Sequence, residues 1–222
     1  MVHAGKGTGA HDAARKRSGR RRTQEERSAE TRESLIAAAI EVLAEVGYVS
    51  GTTAAIAERA SVSRGAIQYH FESKDDLIVA IMETIAIELN FRFDVTELAT
   101  RPVEVRLDRM IEHYWRVFQS PMFRAGLSIW VALAGDAALA ARVEATLRGL
   151  REHILVVWRE LFRDVPCAER KLDAIRHIVM AALRGTAIAF MGGRGSTNFI
   201  EERRVLREMA LHALQTTGGE GT

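Results

Sequence analysis

The chain has one cysteine in 222 residues. Cys167 has no partner for an internal disulfide, so the fold is held without cross-links and suits a reducing cytoplasm. Proline is nearly as scarce, with three. Abundant Ala, Leu, Glu and Arg beside so few helix breakers favour helix over sheet. No apolar run approaches the ~20 residues that cross a bilayer, and no apolar stretch follows the basic N-terminal residues. Neither a membrane span nor a secretory leader is therefore expected. The usual constellations of catalysis are missing too: there is no His-Glu-x-x-His, no cysteine pair and no Gly-x-Ser-x-Gly. The seven histidines are scattered without metal-ligand spacing, so no enzyme, no metal and no cofactor is expected. Gly5-Lys6-Gly7-Thr8-Gly9 lacks the preceding strand and the following Lys-Ser/Thr of a phosphate-binding loop. Cys167 follows Pro166 at an expected helix start, where a thiolate is favoured. An inert thiol is the plainer alternative to a redox sensor.

What is present is an ordinary globular balance, 47% hydrophobic and 27% charged, over which charge is unevenly laid. Residues 1–22 carry Lys6, Arg15, Lys16, Arg17, Arg20, Arg21 and Arg22 against Asp12 alone. That segment is +6, which leaves −4 on the remaining residues of a chain whose total is +2. Rich in Gly, Ala, Lys and Arg and without an apolar period, it reads as a disordered basic arm. A basic arm on a slightly acidic body is a footprint of nucleic-acid binding, and equally of a solvated tail.

From Thr31 apolar residues recur at helical steps. Ile36, Ile40, Leu43 and Ala44 form a stripe that Leu35, Ala39, Val42 and Val46 widen, and Gly47 ends it with a left-handed cap. Two short helices follow. One is capped by Thr52 or Thr53 and buries Ile56 and Ala60; the other is capped by Ser63 and buries Ile67 and Phe71. Ser73, with Asp76 three residues on, opens a longer linking helix over 74–98. The pattern stays helical over 103–118, from Pro121 to about Ala134, and from Asp136 through Leu161. It resumes from Pro166 through Leu183, and over 198–215 after a loop at 192–196.

Residues 52–71 carry the chemistry. A short helix, a tight turn and a second short helix with small or polar outward residues is the geometry of a helix-turn-helix. Ala57 is small where two helices cross, Val62 fills the corner, and Ile67 and Phe71 anchor the second helix from below. Its outer face then presents Ser63, Arg64, Gly65, Ala66, Gln68 and Tyr69, with no large aliphatic group to obstruct a major groove. Arg64 suits a guanine edge and Gln68 an adenine edge, and either also suits a phosphate.

The string Thr52-Thr53-x-x-Ile56-Ala57-x-x-Ala60-x-Val62-Ser63-x-Gly65-x-Ile67-x-Tyr69-His70-Phe71-x-Ser73-Lys74 resembles the signature of the tetracycline-repressor (TetR) family, over about residues 31–80. The resemblance implies that residues 63–69 are the recognition helix. It also implies that Thr52 or Thr53, Tyr69, His70 and Lys74 touch the DNA backbone, and that Arg64, Gly65 and Ala66 face bases. His70 fits a cap or a plain surface position as well. Gln68 stands where the family commonly has an aromatic residue. Ser61 stands where it commonly has glycine, so either Ser61 accepts a somewhat strained backbone or the turn differs slightly.

The fold class that follows is all-α: an N-terminal three-helix helix-turn-helix DNA-binding head at 23–75, then a C-terminal helical ligand-binding and dimerisation body at 76–217. The resemblance further implies a cytoplasmic homodimer joined through its last two long helices, a palindromic operator of double-stranded DNA, and a small-molecule inducer. Residues 168–190 mix Leu, Ile and Val with Ala181, Ala182, Gly185, Ala187 and Ala189, which lets a neighbouring helix approach closely, within the chain or from a partner. His113, Trp115, Phe118, Trp130 and Trp158 lie on segments that surround the ligand pocket in similar proteins. The ligand expected there is apolar or aromatic, with His113 or His177 as its polar anchor. Trp130-Val131-Ala132 resembles the choline-sensing branch of the family, for which an aromatic cage would be needed.

Overall fold

The computed structural model describes residues 23–89, 94–191 and 199–216, and every regular element among them is helical. The basic arm and the loop at 192–196 lie outside the described residues. In chain order the helices are α1 (Gln24–Ser50), α2 (Thr53–Arg59), α3 (Arg64–His70), α4 (Lys74–Leu89), α5 (Val95–Ala99), α6 (Val103–Phe118), α7 (Pro121–Ala132), α8 (Ala137–Leu161), α9 (Glu169–Met191) and α10 (Ile200–Gln215). A short 3-10 turn, Leu133–Gly135, joins α7 to α8.

Side-chain caps set most of the starts. Thr23 opens α1 eight residues ahead of the expected Thr31. Its hydroxyl accepts from the Glu26 amide at 3.1 Å while the Glu26 carboxylate accepts from the Thr23 amide at 2.8 Å, a full capping box. Residues 24–34 bury nothing, so the apolar period cannot register them; Thr23-x-x-Glu26 is their one signal. Gly47, at φ +76° and ψ 176°, breaks the helix where the sequence places its end, although in an extended rather than a left-handed helical geometry. Asp136 caps α8, and Ser120 caps α7 with Pro121 in the first position. Helix α9 begins at Glu169 rather than Pro166, so Cys167 precedes it and its thiol is only half-exposed.

The linking helix expected over 74–98 is two helices. Asp94 caps α5 by accepting from the Thr96 and Glu97 amides at 2.8 and 3.1 Å, and α4 ends at Leu89. A new N-cap marks a new helix, and an apolar step pattern alone cannot show it.

Two hydrophobic clusters organise the molecule. The first joins α1–α4 to α7 and the N-terminal half of α8, through residues such as Leu35, Leu43, Ile56, Ile81, Ile129 and Leu139. The second joins α5, α6, the C-terminal half of α8, α9 and α10 around Tyr114, Trp158 and Phe162. Helix α8 therefore takes part in both. Packing of the first cluster runs across residue 75, because α7 lies along α1 and α4. Gly126 permits that approach: a Cβ there would stand 3.1 Å from Ile85 Cδ1. Two expected core positions come out differently. Ala60 is half-buried while Ala57 takes the buried place, and Val46 is exposed.

Candidate nucleic-acid interface

The helix-turn-helix is built by local bonds. Thr52 Oγ1 accepts from the Ala55 amide at 3.2 Å and Ser63 Oγ from the Ala66 amide at 3.3 Å, which starts α2 and α3. Between them Ser61 adopts φ +56°, the left-handed strain expected of a serine in that corner, and Val62 returns its amide to the Ala57 carbonyl at 3.0 Å. Ile67 and Phe71 point down into the first cluster. Arg59 braces the unit from the side, with its guanidinium donating to Glu41 at 3.1 Å and to Glu45 at 3.0 and 2.6 Å. The bond from Arg59 holds the Glu45 carboxyl below its usual range.

The structure brings most of the expected DNA-facing residues onto one outward surface. Thr52, Thr53, Ser63, Arg64, Gly65, Gln68 and Tyr69 are exposed, Tyr69 to 77%. Arg64 has no acidic partner among the described residues, in contrast to Arg59. Three are placed less openly. Ala66 is half-buried because it follows the cap inward. His70 is half-buried with its ring edge-on to Tyr69 at 5.0 Å. Lys74 is engaged elsewhere: its Nζ donates to the Tyr48 carbonyl at 3.2 Å and sits 4.2 Å over the Tyr48 ring.

Gly65 separates what the fold needs from what the surface offers. Its backbone is ordinary helix, and a Cβ would meet only Ser63 Oγ at 3.8 Å. Glycine in a helix costs roughly 0.5–1 kcal/mol against alanine, and nothing inside the head requires it. Gly65→Ala should therefore raise the melting temperature slightly while weakening DNA binding, by anisotropy on a fluorescent duplex. Unchanged affinity would mean that nothing approaches this position closely.

The six body residues do not form one site. Trp115, Phe118 and Trp158 share the second cluster, where they pack with Tyr114. The Trp158 Nε1 donates to the Tyr114 hydroxyl at 3.3 Å, and Tyr114 stacks on Phe118 at 6.1 Å. Trp130 is 66% exposed on α7 and belongs to neither cluster, apart from the buried group of Trp115, Phe118 and Trp158. His177 is exposed on the far side of α9 from the buried stripe Leu172, Ile175, Val179 and Leu183. His113 is half-buried, with a ring nitrogen 3.3 Å from the Leu89 carbonyl oxygen. The polar groups beside the aromatic cluster are instead Tyr114 and Arg176. Burial pushes the Tyr114 phenol up, against the Trp158 bond and the nearby Arg176 charge, which pull it down. The Arg176 Nε is itself buried without a hydrogen-bond partner. An open groove of ≈ 430 Å³ lies elsewhere, between α1, α4 and α7, lined by Ile36, Ile40, Thr84 and Met122 among others.

Comparison with known proteins agrees with this geometry. The profile of the bacterial regulatory proteins, tetR family, matches residues 35–81, which hold α2, α3 and the flanking parts of α1 and α4. The HTH-type transcriptional regulator CymR of Pseudomonas putida is 28% identical over 193 residues, spanning 87% of this chain and 95% of that protein. The HTH-type transcriptional repressor BepR of Brucella suis is 47% identical over 62 residues, 28% of this chain and 29% of that one. A transcriptional regulator from Rhodococcus sp. Rha1, solved by crystallography, superposes with a TM-score of 0.65 at 22% identity, over 83% of this chain and 96% of the other.

Proposed function

We propose that the chain, whose residues 35–81 match the tetR family of bacterial regulatory proteins, is a ligand-released repressor that grips a palindromic operator as a homodimer. It is a DNA-binding transcriptional regulator. In the proposed division of labour residues 23–75 bind DNA, and residues 76–217 dimerise and receive the ligand. The observation that carries the reading is the outward face of α3, where an unpaired Arg64, the glycine at 65, Gln68 and Tyr69 stand exposed over a fully anchored inner face. Arg64, Gly65 and Gln68 are assigned to base edges, and Thr52, Thr53, Ser63 and Tyr69 to phosphates.

Dimerisation is assigned to α9 and α10. Ala174, Ile178, Ala181, Gly185 and Ile188 recur at three- and four-residue steps along the exposed side of α9, and Val205 and Met209 are exposed on α10. By length and composition α9 is also apolar enough to cross a membrane, yet it buries its inner stripe in the second cluster. Two recognition helices set about 34–36 Å apart would enter successive major grooves.

Helix α4 supplies the link. Its first turn is held from the head by Lys74 on Tyr48 and from the body by Arg142 of α8, which donates to Asp76 at 2.5 Å. The bond from Ser73, and then that from Arg142, holds the Asp76 carboxyl below its usual range. A ligand that shifts α8 would displace the heads by as much as it prefers the shifted state. An apolar or aromatic ligand suits the cluster of Tyr114, Trp115, Phe118 and Trp158. The closed packing of that cluster favours a second site for it, the groove between α1, α4 and α7, where a bound molecule would wedge head against body.

Selection of duplex from a random pool, followed by anisotropy with Arg64→Ala, tests the reading. A recovered palindrome, and a loss of about 1–3 kcal/mol confined to one or two base positions, is expected. Binding without a consensus sequence would overturn it.

A further inference from the structure

We propose that the groove between α1, α4 and the start of α7 binds an apolar cation, a quaternary or protonated amine carried on an aromatic or aliphatic body. This rests on the ligand-release reading above and names the class of ligand. The groove has a volume of ≈ 430 Å³, within the roughly 300–1,000 Å³ of small-molecule sites. Its floor is apolar. Ile36 and Ile40 line it from α1 and Met122 from the start of α7, with Ala37 and Pro121 exposed at its edge. Ile36 and Ile40 also belong to the first cluster, so the core holds that floor in place.

The polar side chains around the floor accept hydrogen bonds and carry negative charge. Glu33 and Glu41 line the groove, and among the described residues no lysine, arginine or histidine does. Glu33 has no hydrogen-bond or ion-pair partner among the described residues. Glu41 shares Arg59 with Glu45, so one cation faces two carboxylates there. The two lining hydroxyls point to the same class of ligand. Thr84 donates to the Ala80 carbonyl at 2.9 Å and Ser120 to the Val117 carbonyl at 2.7 Å, so each has only lone pairs left to offer.

The start of α7 pulls the other way, because a helix N-terminus carries about half a positive charge. Its amides are largely engaged, however. Pro121 has no N–H, the Phe123 amide donates to Ser120 Oγ at 3.2 Å, and the Arg124 amide donates to the Ser120 carbonyl at 3.4 Å. Glu33, Glu41 and Glu45 against Arg59 leave a net −2, which outweighs that half charge. The apolar body of the ligand would lie on the floor while its charged head stays wet at the rim beside Glu33, as long cationic side chains do on protein surfaces.

Tetraphenylphosphonium and tetraphenylborate have the same shape and opposite charge, and calorimetry of the full chain with each tests the proposal. The phosphonium should bind once per protomer, and the borate about tenfold more weakly or not at all. Glu33→Gln should weaken the phosphonium about three- to fivefold, the upper range for an exposed charge pair, and leave the borate no weaker. Ala37 is exposed, so Ala37→Trp fills the groove without entering the core; it should abolish phosphonium binding at an unchanged melting temperature. Equal binding of the two ions would overturn the proposal, as would phosphonium binding that either substitution leaves intact, or no phosphonium binding at all. Failure of the ligand-release reading looks different: the phosphonium would bind the groove and leave anisotropy on the selected operator duplex unchanged.

Discussion

If α9 forms the proposed dimer interface, replacing Ile178 by glutamate should leave a monomer and weaken operator binding by about 10²–10⁴-fold, the avidity lost when a second half-site is no longer tethered. Ile178 is 61% exposed at the middle of α9, and only 22% of the most apolar 18-residue stretch of that helix is buried. Ile188, Phe190, Val205 and Met209 are exposed on the same two helices. Large apolar side chains left exposed in this number mark an interaction site rather than a solvated face. In a two-fold interface each residue acts twice, and burying an isoleucine contributes about 1.5–3 kcal/mol. Glutamate at that position must instead surrender its hydration. Because the side chain points out of the chain's own core, circular dichroism and melting of the monomer should persist. Sedimentation velocity beside anisotropy reads the outcome. A dimer of undiminished affinity would remove α9 from the interface.

Arg106→Met should cost about 2–3 kcal/mol and lower the melting temperature by about 5–10 °C. Arg106 is the buried charge of the second cluster's rim, 5% exposed. Its Nε donates to the Arg101 carbonyl at 2.5 Å and Nη1 to the Leu161 carbonyl at 2.7 Å, while both terminal nitrogens grip Asp164, one of them at 2.7 Å. Leu161 is the last residue of α8, so its carbonyl has no partner within the helix, and Arg106 supplies one. The figure is kept below that for a fully buried pair because the Asp164 side chain is 57% exposed. The bond from Arg106 holds the Asp164 carboxyl below its usual range. Its contribution is then present above the unfolded value of about 4 and fades as pH falls through the lower folded value. Thermal melts from pH 7 down to 3 should show the wild type and Arg106→Met converging. A constant gap would mean that the carbonyl bonds, and not the ion pair, carry the effect.

Caps and turn chemistry were legible in the sequence because they act within four residues. Thr52, Ser63, Ser73 and Asp136 start helices where their side chains can reach the free amides, and Ser61 takes the positive φ that the short corner demands. Periodicity likewise placed Ile56, Ile67 and Phe71 beneath the recognition helix, and so left Arg64, Gly65, Gln68 and Tyr69 outside. Besides the start of α9, which lies three residues past Pro166, two helix starts were missed for opposite reasons. The early turns of α1 have no apolar residue to count, and the apolar steps of α4 run on past an aspartate that begins a new helix.

What the sequence could not decide was which face meets which. Trp130 and Trp158 have the same chemistry and both sit on helices, yet one is 66% exposed and the other 0%. The difference is that α7 packs along α1, whereas the C-terminal half of α8 packs against α6 and α9. Lys74 is drawn to a carbonyl 26 residues away, Arg106 to partners 55 and 58 residues on, and Arg142 back to Asp76 across 66. Helix and cap follow from neighbouring residues and their φ/ψ preferences. Burial of an arginine or exposure of a tryptophan follows from the order in which helices stack, and that order is settled by total apolar area hidden from water.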